Sequence, residues 1–186
     1  MKSFLSYLTE TKNLHMEHIE DAVFNEGTKG IKDAVNFLKS VVDMLRGSSK
    51  SGVNVTVKWD GAPAIFCGTN PENGKFFVGT KSVFNKNPKI NYTHADIDAN
   101  HGSGLADRLH VALNHLPKLG IDGVIQGDMM FMNSDLGSET IDNEEHITFT
   151  PNTITYAVPK NSDTAKEIEK ARIGIVFHTK YTGTTM

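Results

Sequence analysis

The sequence has a single cysteine and no long apolar stretch. Cys67 is the one cysteine among 186 residues, which excludes a disulfide within the chain and is typical of a protein from a reducing compartment. No apolar run approaches the ~20 residues that a transmembrane helix needs. The apolar start of the chain ends in the polar segment Thr9-Glu10-Thr11-Lys12, which is not the pattern of a signal peptide. We therefore expect a cytoplasmic protein with no membrane partner.

An excess of charge of one sign is also lacking. The chain has 19 Lys and Arg residues against 22 Asp and Glu residues, a formal net charge of -3. This balance excludes a general electrostatic attraction to nucleic acid or to an anionic membrane, but it is compatible with a local basic groove. The composition, 38% hydrophobic and 22% charged, excludes collagen, a long coiled coil and wholesale disorder. The length suits one domain or two small ones.

Helical periodicity dominates the first part of the chain. We predict an N-terminal helical region over residues 1–52, with its clearest helix over residues 29–46 and Gly47 as the terminating residue. Apolar residues recur there at helical spacing: Ile31, Ala34, Val35, Leu38, Val41, Val42 and Leu45. A second amphipathic helix is predicted over residues 105–116, and a short charged helix over residues 163–171.

Strand patterns dominate from residue 53 onward, where we predict one core domain over residues 53–186. Asn73-Gly74 between two apolar runs indicates a hairpin. Strands are predicted over residues 53–57, 64–67, 76–78, 123–131, 147–149, 154–158 and 173–177, with polar loops over residues 84–104 and 132–145. The expected fold class is α+β, with largely antiparallel sheets and packed helices.

The end of the first predicted strand carries candidate chemistry. If the valines of residues 53–57 face the core, alternation places Lys58 and Asp60 together on the opposite side, and Gly61 lets a ligand approach the backbone. A lysine amine attacks only after it loses its proton. Lowering a lysine pKa from about 10.4 to near 7 takes ~4–5 kcal/mol, which desolvation, neighbouring cations or a metal can supply. The alternative is a surface lysine paired with Asp60 in water.

Several segments resemble one enzyme family. Lys58-Trp59-Asp60-Gly61 resembles motif I, Lys-x-Asp-Gly, of the covalent nucleotidyltransferases, which include ATP-dependent DNA ligases, RNA ligases and mRNA capping enzymes. Lys81 stands where ligases carry a basic residue that contacts the nucleotide. The apolar strand with Asp128 resembles motif III, and Phe149 stands at the stacking aromatic of motif IIIa. The segment from residue 53 to residue 158 resembles ligase-like proteins of tailed phages.

The resemblance implies an architecture and a mechanism. The implied fold is the ligase adenylation domain, an ATP-grasp-like nucleotidyltransferase architecture. Lys58 would form lysyl-AMP from ATP with Mg²⁺, and the AMP would pass to the 5′-phosphate of a nicked or broken DNA or RNA end. The implied nucleotide-binding residues are Val57, Asp60, Gly61, Lys81, Asp128 and Phe149, with Asp128 also as a Mg²⁺ ligand. A phage origin would place the protein in the cytoplasm of the host.

Departures from the family pattern leave alternatives open. Motif III usually has Glu where this chain has Asp128, the best motif IV candidate over residues 173–176 lacks its acid, and motif V is not evident. A second hypothesis is therefore a catalytically incomplete nucleotide- or nucleic-acid-binding protein on the same scaffold. A third is guanylyl transfer of the capping type. Asp128 and Phe149 also have plainer interpretations, as a solvated strand-end acid and a core aromatic.

Overall fold

The computed structural model describes residues 19–47 and 58–183. These residues fall into two separate units, one on each side of the gap. The predicted strand over residues 53–57 and the predicted domain boundary after residue 52 lie outside the described residues. In the described part of the chain, no helix is both long enough and apolar enough to cross a bilayer.

The N-terminal unit consists of two helices, α1 (Asp21–Glu26) and α2 (Thr28–Leu45). The helix predicted over residues 29–46 is confirmed, and Gly47 follows it with a φ of 71°. Most apolar side chains of α2 are exposed in this unit, Leu38 and Leu45 among them. Within the described residues, α2 therefore contributes little to a buried core.

A four-stranded antiparallel sheet forms the centre of the second unit. Its strands are β1 (Ala64–Thr69), β2 (Phe76–Gly79), β3 (Val124–Met132) and β7 (Ile173–Tyr181), in the order β2-β1-β3-β7. The predicted hairpin is confirmed, because Asn73-Gly74 lies in the connection between the paired strands β1 and β2. The last strand continues to Tyr181, beyond the predicted end at residue 177.

A second antiparallel sheet has three strands, β4 (Gly137–Ile141), β5 (Glu144–Phe149) and β6 (Tyr156–Pro159), in the order β4-β5-β6. The loop predicted over residues 132–145 was wrong, because β4 lies within it. All of β4 is exposed, so the strand has no buried face to produce an alternating apolar pattern. Asp142 and Asn143 connect β4 to β5 with φ angles of 50° and 67°, as a tight two-residue hairpin turn requires.

Three helices complete the second unit: α3 (His94–Asn100), α4 (Ser103–His115) and α5 (Asp163–Lys170). The helices predicted over residues 105–116 and 163–171 are confirmed. The loop predicted over residues 84–104 was wrong, because α3 lies within it. This helix has seven residues and buries only Ile97, so its apolar pattern is minimal. Its start is marked by a capping box between Thr93 and Asp96.

Helix α4 covers one face of the four-stranded sheet. Leu109 and Ala112 of α4 belong to the same buried cluster as Ile65 of β1 and Met129 of β3. Cys67 lies in this cluster with no exposed surface, and burial raises the pKa of its thiol to about 12. The cysteine is therefore a packing residue and not a reactive thiol.

Two smaller clusters complete the core of the second unit. One contains Phe66, Phe77, Val83 and Val124. The other contains Met130, Phe131 and Phe149, with Tyr156, Val158 and Ile168 packed against it. The second of these joins β3 to the three-stranded sheet and to α5. The architecture is thus α+β, with antiparallel sheets and packed helices, as predicted at this level of detail.

Candidate functional site

The segment Lys58-Trp59-Asp60-Gly61 precedes β1 and is held by the second sheet. The backbone N–H of Asp60 donates a hydrogen bond to the Tyr156 hydroxyl (2.8 Å), and Asn152 Nδ2 donates to Asp60 Oδ2 (3.2 Å). These partners lie 96 and 92 positions further along the chain. The position of the segment is therefore set by tertiary contacts with β6 and with the connection between β5 and β6.

Gly61 brings the same segment against β3. A Cβ atom at this position would lie 2.6 Å from the backbone oxygen of Met129 and 3.0 Å from the Cβ atom of Asp128. A side chain cannot approach a backbone oxygen so closely, so only glycine allows this contact without a shift. Ala64 of β1 pairs with Asp128 in the sheet register. Gly61 and Asp128 therefore meet at the start of β1, with Asp60 directly before Gly61.

Asp128 projects from the face of β3 that α4 does not cover. Ile125 and Met129 of β3 pack in the core beneath α4. Side chains alternate along a strand, so Gln126 and Asp128 point to the other face. Gln126 accepts a hydrogen bond from the Tyr181 hydroxyl there (2.6 Å). Asp128 lies on the same face, with its Cβ atom 3.0 Å from the position that a Cβ atom on Gly61 would take.

A histidine accompanies this carboxylate. His178 Nε2 lies 3.7 Å from Asp128 Oδ1, and the Thr179 hydroxyl lies 2.7 Å from His178 Nδ1. The register of β7 shifts between Gln126 and Gly127 of β3, and His178 is the extra residue at the shift. A β-bulge of this kind redirects a side chain at the end of regular pairing. The bulge thus adds an imidazole beside Asp128.

A column of four aromatic rings runs from the core to this site. Phe131 and Phe149 have ring centroids 5.0 Å apart, Phe149 stacks on Tyr156 at 5.4 Å, and Tyr156 stacks on Trp59 at 5.1 Å. Phe149 is only 4% exposed, which agrees with the core interpretation of this residue. Trp59, in contrast, is 44% exposed. The accessible aromatic surface of the site therefore belongs to Trp59.

The candidate cations of the site are exposed. Lys58 makes no hydrogen bond, ion pair or ring contact with another described residue, so it is not paired with Asp60. Lys81 begins a short 3₁₀ turn directly after β2 and is also exposed. Because Gly79 pairs with Phe66, the chain after β2 runs toward the sheet end that carries Asp128. Val57, predicted to bind nucleotide, lies outside the described residues.

The acids of the site do not form a closed metal cage. Across residues 19–47 and 58–183, no three side chains of the usual metal-ligating types are close enough to hold an ion together. Mg²⁺ often binds through one or two carboxylates and completes its coordination with water and substrate phosphates. Asp128 could supply one carboxylate in an arrangement of that kind.

Comparison with known proteins gives one match. Residues 13–186 match the model of a family of unknown function, DUF6267. The chain belongs to this family. No curated protein and no solved structure matches it.

In this DUF6267 chain, three residues of the site were not among the predicted nucleotide-binding residues: Asn152, Tyr156 and His178. Tyr156 was placed in a strand, but the contact of its hydroxyl with Asp60 depends on how the two sheets meet. Asn152 follows Pro151 in a bend of the chain, and this local sequence gives no sign of a partner 92 positions away. His178 depends on a bulge, which no periodic pattern reveals.

A second cluster of titratable side chains lies between α3 and α4 of the DUF6267 chain. His94 Nδ1 and His110 Nδ1 are 2.6 Å apart, and His110 Nε2 lies 2.9 Å from Asp98 Oδ1. Asn114 Oδ1 lies 3.2 Å from His94 Nε2. The hydrogen bonds of this cluster tie the two helices together. None of its members contacts Asp60, Asp128 or Tyr156.

Proposed function

We propose that this DUF6267 protein is an ATP-dependent nucleotidyltransferase of the polynucleotide-ligase type. The observation that supports the proposal is the meeting of three segments far apart in the sequence. The motif I-like segment at Asp60 and Gly61 lies against the motif III-like strand at Asp128, and it is held by Tyr156 beside the motif IIIa-like strand. The motif-like segments were identified from their order in the sequence, and that order alone does not require them to be in contact.

The proposed architecture is that of a ligase adenylation domain. In it, the nucleotide would lie on the face of the four-stranded sheet that α4 leaves uncovered, with Asp128 and Lys81 at the phosphate end. Gly61 supports this arrangement because it has no side chain. The backbone before β1 therefore packs closely against β3, and a ligand can lie over it. The carboxylate of Asp60 accepts a hydrogen bond from Asn152 and forms no ion pair with Lys58.

The first step is attack by the neutral amine of Lys58 on the α-phosphorus of ATP. A P–N bond forms, the bond from the α-phosphorus to the bridging oxygen of the β-phosphate breaks, and pyrophosphate leaves. The amine gives up a proton to solvent in the same step. Lys81 would offset the charge that develops on the leaving pyrophosphate.

The second step transfers AMP to a nucleic-acid end. An oxygen of the terminal 5′-phosphate attacks the phosphorus of lysyl-AMP, a P–O bond forms, the P–N bond breaks, and the amine of Lys58 takes up a proton.

Mg²⁺, when bound with the phosphates of ATP, offsets their negative charge. Asp128 is the residue that would hold it, and His178 would keep that carboxylate oriented.

The test is covalent labelling by ATP with a radioactive α-phosphate in the presence of Mg²⁺. Label should remain on the denatured protein and be lost in Lys58→Ala. Lys118→Ala, which removes an exposed lysine from the turn after α4, is the matched control and should keep the label. Folded protein that takes no label from either ATP or GTP overturns the proposal, and label from GTP alone indicates guanylyl transfer.

A second candidate function is nucleotide or nucleic-acid binding without turnover. One observation favours it: Ile173, which stands at the position of the motif IV acid, packs against the core beneath α4. A binding protein would be stabilised by ATP in thermal unfolding without any covalent label. Label that depends on Lys58 excludes this alternative.

A further inference from the structure

We propose that the exposed face of Trp59 is a stacking platform for a nucleobase, and that this base belongs to the acceptor polynucleotide end. The inference rests on the proposed function, because an acceptor end is present only if the site transfers AMP. It adds a binding residue that the family resemblance does not assign. Trp59 is the variable position of Lys-x-Asp-Gly, and the motif makes no demand on its side chain.

The platform is held rigidly from beneath. The inner face of Trp59 stacks on Tyr156 with an interplanar angle of 25°, and Tyr156 stacks on the buried Phe149 with an angle of 15°. The backbone next to Trp59 is fixed by the hydrogen bond from the Asp60 N–H to the Tyr156 hydroxyl. A ring held in this way loses little conformational freedom when a ligand stacks on it.

The chemistry around the ring fits a polynucleotide. Proteins that bind single-stranded nucleic acids stack the bases on aromatic side chains. Lys58 is the residue directly before Trp59, and it is exposed. A terminal base stacked on Trp59 would place its 5′-phosphate beside Lys58, where the proposed transfer of AMP needs it.

The position of the ring favours the acceptor base over the adenine of ATP. Trp59 ends the aromatic column that runs through Tyr156 of β6 and Phe149 of β5 to Phe131 of β3. The phosphates of the nucleotide are proposed to lie at Asp128, beside Gly61. A base on Trp59 would then be a second base next to Lys58, separate from the nucleotide at Asp128.

The chain has a single tryptophan, so its intrinsic fluorescence reports on this ring alone. The probes are 5′-phosphorylated oligothymidylate and oligouridylate of about eight nucleotides, a length that spans a typical single-strand site. At least one of them should quench the fluorescence in a saturable way, and ATP should not. Quenching by ATP equal to that by the oligonucleotides, or quenching by neither, overturns the proposal.

Substitutions then separate stacking from general attraction, with binding followed by the anisotropy of a labelled oligonucleotide. Trp59→Ala should weaken binding about five- to a hundred-fold, and Trp59→Phe should weaken it less. Phe84→Ala removes a similarly exposed ring, 45% exposed, that lies outside the column and is the matched control. An equal loss in Phe84→Ala, or no loss in Trp59→Ala with its melting temperature unchanged, contradicts the proposal.

Failure of this inference is distinguishable from failure of the proposed function. Lys58→Ala should abolish covalent labelling and still quench with the oligonucleotide, since the ring remains. Label on the native protein without oligonucleotide quenching refutes the platform alone. Quenching without label refutes the transferase and leaves Trp59 as a base-binding residue of a protein that does not turn over.

Discussion

The two faces of the four-stranded sheet differ in what their side chains do. Beneath α4, Leu109, Ile65 and Met129 are fully buried in one apolar cluster. On the other face, the same strand β3 presents Gln126 and Asp128 beside a smaller buried cluster that includes its own Val124. The segment before β1 is fixed near Asp128 by the close approach of Gly61 and by the hydrogen bond from the Asp60 N–H to the Tyr156 hydroxyl. Both faces therefore carry apolar packing, and the polar site lies on the face opposite α4.

This difference indicates where the protein tolerates change. The apolar cluster beneath α4 loses stability when volume is removed, whereas the segment at Gly61, which is held by close backbone approach and a few polar contacts, loses its geometry first. Substitutions on the two faces should therefore separate unfolding free energy from site chemistry. The following predictions use that separation, from the largest expected effect to the smallest.

Leu109→Ala should produce the largest loss of stability. The side chain has no exposed surface, and removing it leaves a cavity beneath α4 that the sheet cannot fill, at a cost of about 2–5 kcal/mol in unfolding free energy. Leu119→Ala, at a residue that is 62% exposed, should change stability by less than about 0.5 kcal/mol. Urea unfolding followed by circular dichroism measures both. Similar losses in the two variants would mean that α4 does not cover the core as described.

Gly61→Ala should damage the uncovered face with a smaller loss of stability. The added Cβ atom meets the backbone oxygen of Met129, so the segment before β1 must move away from Asp128, at a cost of about 1–3 kcal/mol. Covalent labelling by ATP should fall by a larger factor than the increase in the unfolded fraction alone would cause. The control is Gly104→Ala near the start of α4, where the Cβ atom meets nothing within 4 Å and the helix gains up to about 1 kcal/mol. Unchanged labelling in Gly61→Ala contradicts the proposed contact.

His101 should produce the smallest effect, visible only as a pH dependence of stability. Burial, and secondly the positive charge of Lys89, lower the pKa of His101 in the folded protein. The unfolded chain therefore binds more protons near its ordinary pKa of about 6.5, and folding stability declines as pH falls from 7.5 to 5.5.

His101→Gln should make that decline shallower, because the substituted side chain does not titrate and can still face Asn91 Nδ2, which lies 3.2 Å from His101 Nε2. Unfolding free energies of the wild type and of His101→Gln at several pH values measure the slopes. Equal slopes in the two proteins contradict this prediction.

Much of the fold was predictable because its elements have periodic, half-buried patterns. Helices α2 and α4 repeat apolar residues at helical spacing, and β1 and β3 carry apolar runs between turn residues. The missed elements lack that signal: β4 has no buried residue, and α3 buries only Ile97. Their signals were local ones, the Asp142-Asn143 turn and the Thr93–Asp96 capping box, which require attention to turn and cap chemistry instead of periodicity.

The site was predictable only in part, and for a physical reason. The Lys-x-Asp-Gly segment and Asp128 stand out because their residue types and spacing match a known chemistry. Tyr156 and His178 reach the site through the meeting of two sheets and through a bulge, and neither is encoded in a short stretch of residues. The attachment of nucleotide to Lys58 stays a prediction until labelling is measured.

The single thiol has a practical consequence for work on this protein. Cys67 lies in β1, between β2 and β3, with no exposed surface. A maleimide or a disulfide reagent can modify it only in molecules whose central strand has come away from its neighbours. The rate of modification in native buffer, compared with the rate in denaturant, therefore gives the free energy of that opening directly, without an added probe.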